Sequence, residues 1–363
     1  MAPLVKKLEK QPEFESLCCL TGQHRQMLDS VVSAFGLHAD YDLRIMEKNQ
    51  SLSSITTRIL LGLDPIFERV QPDLVLVHGD TSTAFAAALA AFYHRIPVGH
   101  VEAGLRTHNP WSPYPEEMNR TLVGDLAALH FAPTISCREN LRAEGITGHV
   151  FVTGNTVIDA LHMTVRPDYR FADATLDGLD WKNRRIITLT CHRRENYGQP
   201  MENIMGAVRR IAQEFPDTEI VYPVHLSPVV RECARKNLGG VERIHLIEPL
   251  DVEQMHNLIA RSYLILTDSG GLQEEAPAFG RPVLVLRRET ERPEAIEAGT
   301  ARLAGVETQT IVDTARQLLS DSAQYGRMAK AVNPYGDGKA ADRIIQAICA
   351  FFDIADPPAD FLA

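Results

Sequence analysis

The 363-residue chain is short of the features that mark secreted, membrane and nucleic-acid-binding proteins. Its six cysteines, Cys18, Cys19, Cys137, Cys191, Cys233 and Cys349, form no CxxC pair and no zinc spacing. They read as reduced, mostly buried thiols, and the cytoplasm is the expected compartment. No apolar stretch is long enough to span a bilayer; the strongest, around Ala84 to Tyr93, falls well short. An apolar core of signal-peptide length is missing from the N-terminus as well. Lys and Arg number 37 against 47 Asp and Glu, a net charge of −10, and they form no basic block. Nucleic acid is therefore not an expected partner, and an anionic ligand has to be held by local arginines, lysines and backbone amides. Repeats and low-complexity tracts are absent too. What remains is 45% hydrophobic and 23% charged, over a length that suits two ordinary domains with sizeable cores.

The stretch Tyr263 to Arg287, YLILTDSGGLQEEAPAFGRPVLVLR, sets the theme. A short apolar run, Tyr263 to Leu266, reads as a buried parallel strand. Paired glycines, Gly270 and Gly271, lead from it into a helix expected over Leu272 to Phe279. A second strand, Pro282 to Leu286, closes the unit. Backbone amides freed at such a helix start suit a phosphate. Glu274 and Glu275, placed by this reading in the first turn, would favour the helix dipole or accept from sugar hydroxyls. An ordinary βαβ turn with small residues for close packing explains the same letters.

Strands and helices alternate on either side. Strands are expected at Asp73–Val77, Ile96–Val101, Leu129–Ala132 and Val150–Thr153, then at Ile186–Thr190, Glu219–Val224 and Ile244–Ile247. Residues 166–183 show no strong period and read as the interdomain region. The expected fold is α/β, with two Rossmann-like doubly wound domains over residues 1–165 and 166–335, and a cleft between them. Ligands of such folds sit outside the carboxyl ends of the strands, so the polar loops there are the places to look for chemistry.

Four loops stand out. His78-Gly79-Asp80-Thr81-Ser82 follows a strand, and Asp80 is either a helix N-cap or an acid–base group. Glu102, in His100-Val101-Glu102-Ala103-Gly104, is either solvated or a functional carboxylate near a strand end. Glu116 and Glu117, after Pro113-Tyr114-Pro115, mark a helix start. His192-Arg193-Arg194 suits an anion, or is a solvated turn. Together they place three carboxylates in the first domain and His, Arg and a glycine-rich turn in the second. That division suits an enzyme that holds a nucleotide with one domain and moves protons with the other.

The segments VHGDTSTAFAAALAAFYHRIPVGHVEAGLRT, SPYPEEMNR, GNTVIDAL, HRREN, YPVHLSPVVRE, LTDSGGLQEEAP, ERPEAIEAGT and NPYGDG, in this order, resemble the non-hydrolysing UDP-N-acetylglucosamine 2-epimerases. The resemblance implies a GT-B-like arrangement of the two domains, with residues 336–363 forming a helix that returns to the first. It implies interconversion of UDP-GlcNAc and UDP-ManNAc by a homodimer without metal or other cofactor. By resemblance, Asp80, Glu102, Glu116 and His192 are catalytic, and Ser269, Gly270, Gly271, Glu275 and Arg292 bind UDP. Gln23, Gln26, Glu116, Arg193 and His225 match a site where UDP-GlcNAc acts as an allosteric activator, with Asn49 where an Arg is expected. The family carries a strand and a GTRPEAIK-type loop ahead of the helix that opens here at Met1. The expectation is a first sheet short of a central strand. GT-B glycosyltransferases, hydrolysing epimerases and catalytically weak nucleotide-sugar binders are the rival classes.

Overall fold

A computed structural model describes residues 1–22, 25–47 and 50–363, with residues 25–27 described by their backbone alone. The chain divides into two compact units, residues 1–163 with 335–363, and residues 164–334.

In the first unit, β1 (Cys19–Leu20) and β2 (Tyr41–Asp42) form a two-stranded parallel sheet. A second parallel sheet has the order β3 (Val75–His78), β4 (Val98–Val101), β5 (Leu129–Ala132), β6 (Val150–Val152). Every residue of β4 and β5 is buried, as expected of parallel strands covered on both faces. The Ala-rich helix Ser82–Tyr93 buries Ala84, Ala86, Ala88, Ala90 and Ala91 beside Ile55, Ile59 and Leu63 of the helix Leu52–Val70. Such small side chains let helix and sheet approach closely. The last helix, Ala340–Phe351, packs Ala341, Ile344 and Ile348 with Leu4, Leu8, Val101 and Phe131 in one core of this unit. A cavity of about 440 Å³ lies between the two sheets, lined by residues 17–21 on one side and residues 74–78 on the other.

The second unit has one six-stranded parallel sheet. Its strands are β7 (Arg185–Thr190), β8 (Thr218–Pro223), β9 (Ile244–Ile247), β10 (Leu264–Thr267), β11 (Val283–Val285) and β12 (Ala301–Leu303). Their order is β12-β11-β10-β7-β8-β9. The chain thus starts in the middle, builds to one edge, and returns to build to the other. The direction reverses between β7 and β10, which pair directly, Thr190 beside Thr267. A reversal of this kind leaves a crevice at the carboxyl ends of the two central strands, because their outgoing chains diverge to opposite faces of the sheet.

Several local expectations change. The helix after β10 runs from Gly270 to Glu275 and continues as a 3-10 turn, Ala276–Phe279. Glu274 and Glu275 therefore close the helix instead of opening it, and the expected dipole benefit is lost. Residues 166–183 contain a short helix, Ala174–Asp177, capped by Asp173, and an aromatic cluster of Tyr169, Phe171 and Trp181. The two-residue β2 and the three-residue β12 escaped the sequence because runs so short show no period.

Candidate active site

In the second unit, the crevice residues come from the ends of β7 and β10. Thr190 and Thr267 share a hydroxyl hydrogen bond of 2.6 Å, and the Ser269 amide donates to Thr267 Oγ1 at 2.9 Å. Asp268 is fully buried; its Oδ2 accepts from the amides of His192 and Arg193, each at 2.8 Å, and from Asn196 Nδ2 at 3.1 Å. The loop that carries His192 is thereby tied to the loop that carries Ser269.

Ser269 is the N-cap of the following helix, and its side chain makes no capping bond. A Cβ on Gly270 would lie 3.7 Å from Arg193 Nη2 and 3.9 Å from Arg292 Nη2. Two guanidinium groups from distant parts of the chain thus converge on the glycine backbone. The helix is only six residues long, so the two arginines must supply most of the attraction for an anion. Arg292 is held from behind by an ion pair with buried Glu274, and Arg193 Nη1 lies 3.6 Å from Glu291. Gln273 joins the same frame, donating to the Ser269 carbonyl at 3.1 Å and accepting from Thr290 at 2.6 Å. Desolvation, with the Glu274 charge adding to it, raises the Glu275 carboxyl to about 7. The His192 ring stacks on His225 with centroids 5.2 Å apart. Burial holds His192 below the ordinary imidazole value; Asp268 opposes that shift, and His225 and Arg193 reinforce it.

The first unit gathers its acidic residues at the ends of β3 and β4. Asp80 is not the helix cap. Thr81 takes that role, accepting from the Ala84 amide at 3.1 Å, and Asp80 instead forms an ion pair with Arg120. Asn119 fixes the same loop by donating to the Asp80 carbonyl at 2.8 Å. Glu102 has a positive φ of 64°, a costly conformation for a side chain of this kind. Its carboxylate passes directly over Gly79, where a Cβ would lie 2.9 Å from Oε2, and it accepts from Asn155 Nδ2 at 3.2 Å. Gly79 itself has φ 66°, so glycine is required there twice over. Fully buried His100 is 2.9 Å from the Gly79 carbonyl through Nε2, and burial lowers it to about 3, so it is a neutral donor holding the loop. Glu116 and Glu117 separate cleanly. Glu117 is buried and accepts from the amides of Thr107 and His108 at 2.8–3.0 Å, whereas Glu116 is half-exposed, with no side-chain partner among the described residues.

Of the residues expected to bind the activator, Gln23 lies outside the described residues, as do the side chain of Gln26 and the residue Asn49. Arg193 and exposed His225 flank His192. The sequence reading placed His100, Asn196 and Asp268 inside its loops, and Asn155 inside a motif, but gave none of them a role. Asp268 stood inside the organising stretch; its position between a buried strand and a glycine pair was the available signal.

These features define a Rossmann-like α/β protein with an arginine-lined crevice on one unit and a group of carboxylates near the strand ends of the other. The profile of the UDP-N-acetylglucosamine 2-epimerases matches residues 6–349. The UDP-N-acetylglucosamine 2-epimerase of Bacillus subtilis is 55% identical over 349 residues, 96% of this chain and 91% of the relative. A UDP-GlcNAc 2-epimerase structure from Neisseria meningitidis, bound to UDP-GlcNAc, is similar with a TM-score of 0.85 and 47% identity, covering 96% of each chain. The S. aureus MnaA–UDP structure gives 0.89 and 48%, covering all of this chain and 96% of that one. The chain belongs to the UDP-N-acetylglucosamine 2-epimerase family. No helix among its described residues is long and apolar enough to cross a membrane.

Proposed function

We infer that this chain interconverts UDP-GlcNAc and UDP-ManNAc. The observation that supports this best is the convergence of Arg193 and Arg292 on Gly270 at the reversal point of the second sheet, in a chain of this family. A diphosphate fits between the guanidiniums and the Ser269–Gly271 backbone, with the Glu275 carboxylate as acceptor for hydroxyls of the nucleotide.

The hydrogen on C2 of the sugar has no adjacent carbonyl, so plain deprotonation is too unfavourable. Expelling UDP from C1 while a base removes the C2 proton gives a glycal; UDP then adds back and the proton returns to the other face of C2. That route needs proton-transfer groups and firm hold of the leaving diphosphate. Asp80, Glu102 and Glu116 are the acid–base candidates of the first unit, and His192 is the candidate of the second. Among them Glu116 is best suited to exchange a proton, because its carboxylate has no side-chain partner among the described residues. Arg193 and His225, with Glu116, are proposed to meet a second UDP-GlcNAc that activates the enzyme. The working form is proposed to be a homodimer; Leu61, Phe92 and Tyr93, exposed on two helices packed together, are apolar surface that a second copy would cover.

Proton NMR of UDP-GlcNAc incubated with the protein in D2O tests the reaction. Deuterium at C2 together with UDP-ManNAc is expected. Binding of UDP without C2 exchange would overturn the catalytic reading and leave a nucleotide-sugar binder.

A further inference from the structure

The buried carboxylate of Asp268 does more than its hydrogen-bond count requires. Oδ2 alone accepts all three donors, from His192, Arg193 and Asn196. Oδ1 is buried without a hydrogen-bond partner among the described residues, a costly state for a carboxylate oxygen. His192 Nδ1 lies 3.6 Å from it. A small rotation of the imidazole closes that gap, and contacts of this type are often long before ligand binds.

We propose that Asp268 is a positioning residue for catalysis: Oδ2 fixes the backbone of His192 and Arg193, while Oδ1 keeps the imidazole proton on Nδ1 and so leaves Nε2 as the atom presented to the ligand. The logic is that of any carboxylate behind a working histidine, where the acceptor selects the tautomer. The charged and titratable groups facing the ring are Asp268 beneath it, Arg193 beside it and His225 stacked on it. Only Asp268 is anionic, and only it can accept from Nδ1. The pair also couples the two functions of the loop, because the same side chain that sets the His192 ring places the Arg193 amide and its guanidinium near Gly270. This role rests on His192 meeting the ligand, as inferred above.

Asp268→Asn separates the two tasks. Its amide oxygen can still accept from the three donors at the Oδ2 position, so the loop should stay in place. Its NH2 would then face Nδ1 and force the His192 proton onto Nε2. UDP affinity measured by calorimetry is expected to stay within about threefold, while kcat falls by about a hundredfold or more. The 15N shifts of His192 in ligand-free protein should move from the Nδ1–H to the Nε2–H pattern, a readout independent of turnover. Asp268→Ala should lose UDP affinity as well. If Asp268→Asn keeps kcat, its pH profile and the Nδ1–H tautomer, the proposal is overturned. Equal loss of kcat and UDP affinity, with the tautomer unchanged, would reduce Asp268 to a structural tie and overturn it too. His192→Gln guards the premise: unchanged turnover in that variant would remove His192 from the site, whereas slow His192→Gln beside normal Asp268→Asn would overturn the role of Asp268 alone.

Discussion

Glu116 and Glu117 are adjacent and chemically identical, yet their surroundings give them different tasks. Glu117 is buried and bonded to two backbone amides of the preceding loop, so Glu117→Gln should cost about 1.5–3 kcal/mol of stability, read as a lower denaturation midpoint. Glu116→Gln should shift stability by no more than about 0.5 kcal/mol. Its turnover should fall by about a hundredfold or more while UDP still binds, which steady-state kinetics and calorimetry would separate. Gly270 offers a second contrast of fold against function. Its φ is not positive and a Cβ there makes ordinary contacts, so Gly270→Ala should leave stability unchanged or raise it by about 0.5–1 kcal/mol. The same methyl group occupies the space between Arg193 and Arg292, and UDP affinity should drop at least tenfold, about 1.4 kcal/mol. A variant that is no less stable and binds UDP normally would count against the placement of the diphosphate.

At the scale of the element, the helix Ser82–Tyr93 shows how a cap and a functional carboxylate can be confused. Asp80 and Thr81 are both good N-cap residues, and sequence spacing does not choose between them. The structure gives the cap to Thr81 and pairs Asp80 with Arg120. Thr81→Ala should therefore destabilise the first unit by about 1 kcal/mol. Asp80→Asn should leave the cap intact and act mainly on turnover; denaturation and kinetics on the two variants should give opposite patterns. The glycine-rich helix after β10 teaches a related lesson. Its residues were legible as a turn into a helix, but its start moved two residues toward the N-terminus, from Leu272 to Gly270. Glu274 therefore falls in the last turn, where it gains nothing from the dipole and instead holds the Arg292 guanidinium.

Across the whole molecule, the two units should respond differently to acid. His78, His100 and His130 of the first unit are all held below the ordinary imidazole value, chiefly by burial. For such groups, stability is fully present above the unfolded value near 6.5 and is lost as pH falls toward the folded value. With His100 lowered to about 3, this residue alone removes on the order of 1 kcal/mol between neutral pH and about pH 5.5. In the second unit, His256, lowered to about 4, and His192, lowered by burial, act in the same direction. Glu275, raised to about 7, acts in the other: its contribution is lost as pH rises through 7 and regained on acidification. The first unit should therefore be the acid-labile one. Hydrogen exchange followed by mass spectrometry, corrected for intrinsic rates, should show protection falling in residues 1–163 more than in residues 164–334 between about pH 7.5 and pH 5.5. Equal loss in both would contradict the balance of charges described here.

Much of this protein was already decided along the chain. Alternating apolar strands and amphipathic helices announced an α/β fold, because backbone pairing and core burial impose their periods locally. Motif strings such as VHGD, SPYPEE and LTDSGGLQEE carried the resemblance to the family. Three things were left to the tertiary structure. The sheet order put the reversal between β7 and β10, and so chose which loops form the crevice. Packing gave Glu117 to the backbone and left Glu116 without a side-chain partner among the described residues. Folding also buried Asp268 beneath His192 and Arg193, residues some 75 positions earlier in the chain. Periodicity and spacing report what a residue does within its own element. Which strands pair, and which polar groups lose water together, depends on contacts between segments far apart in sequence, and only the folded chain sets those.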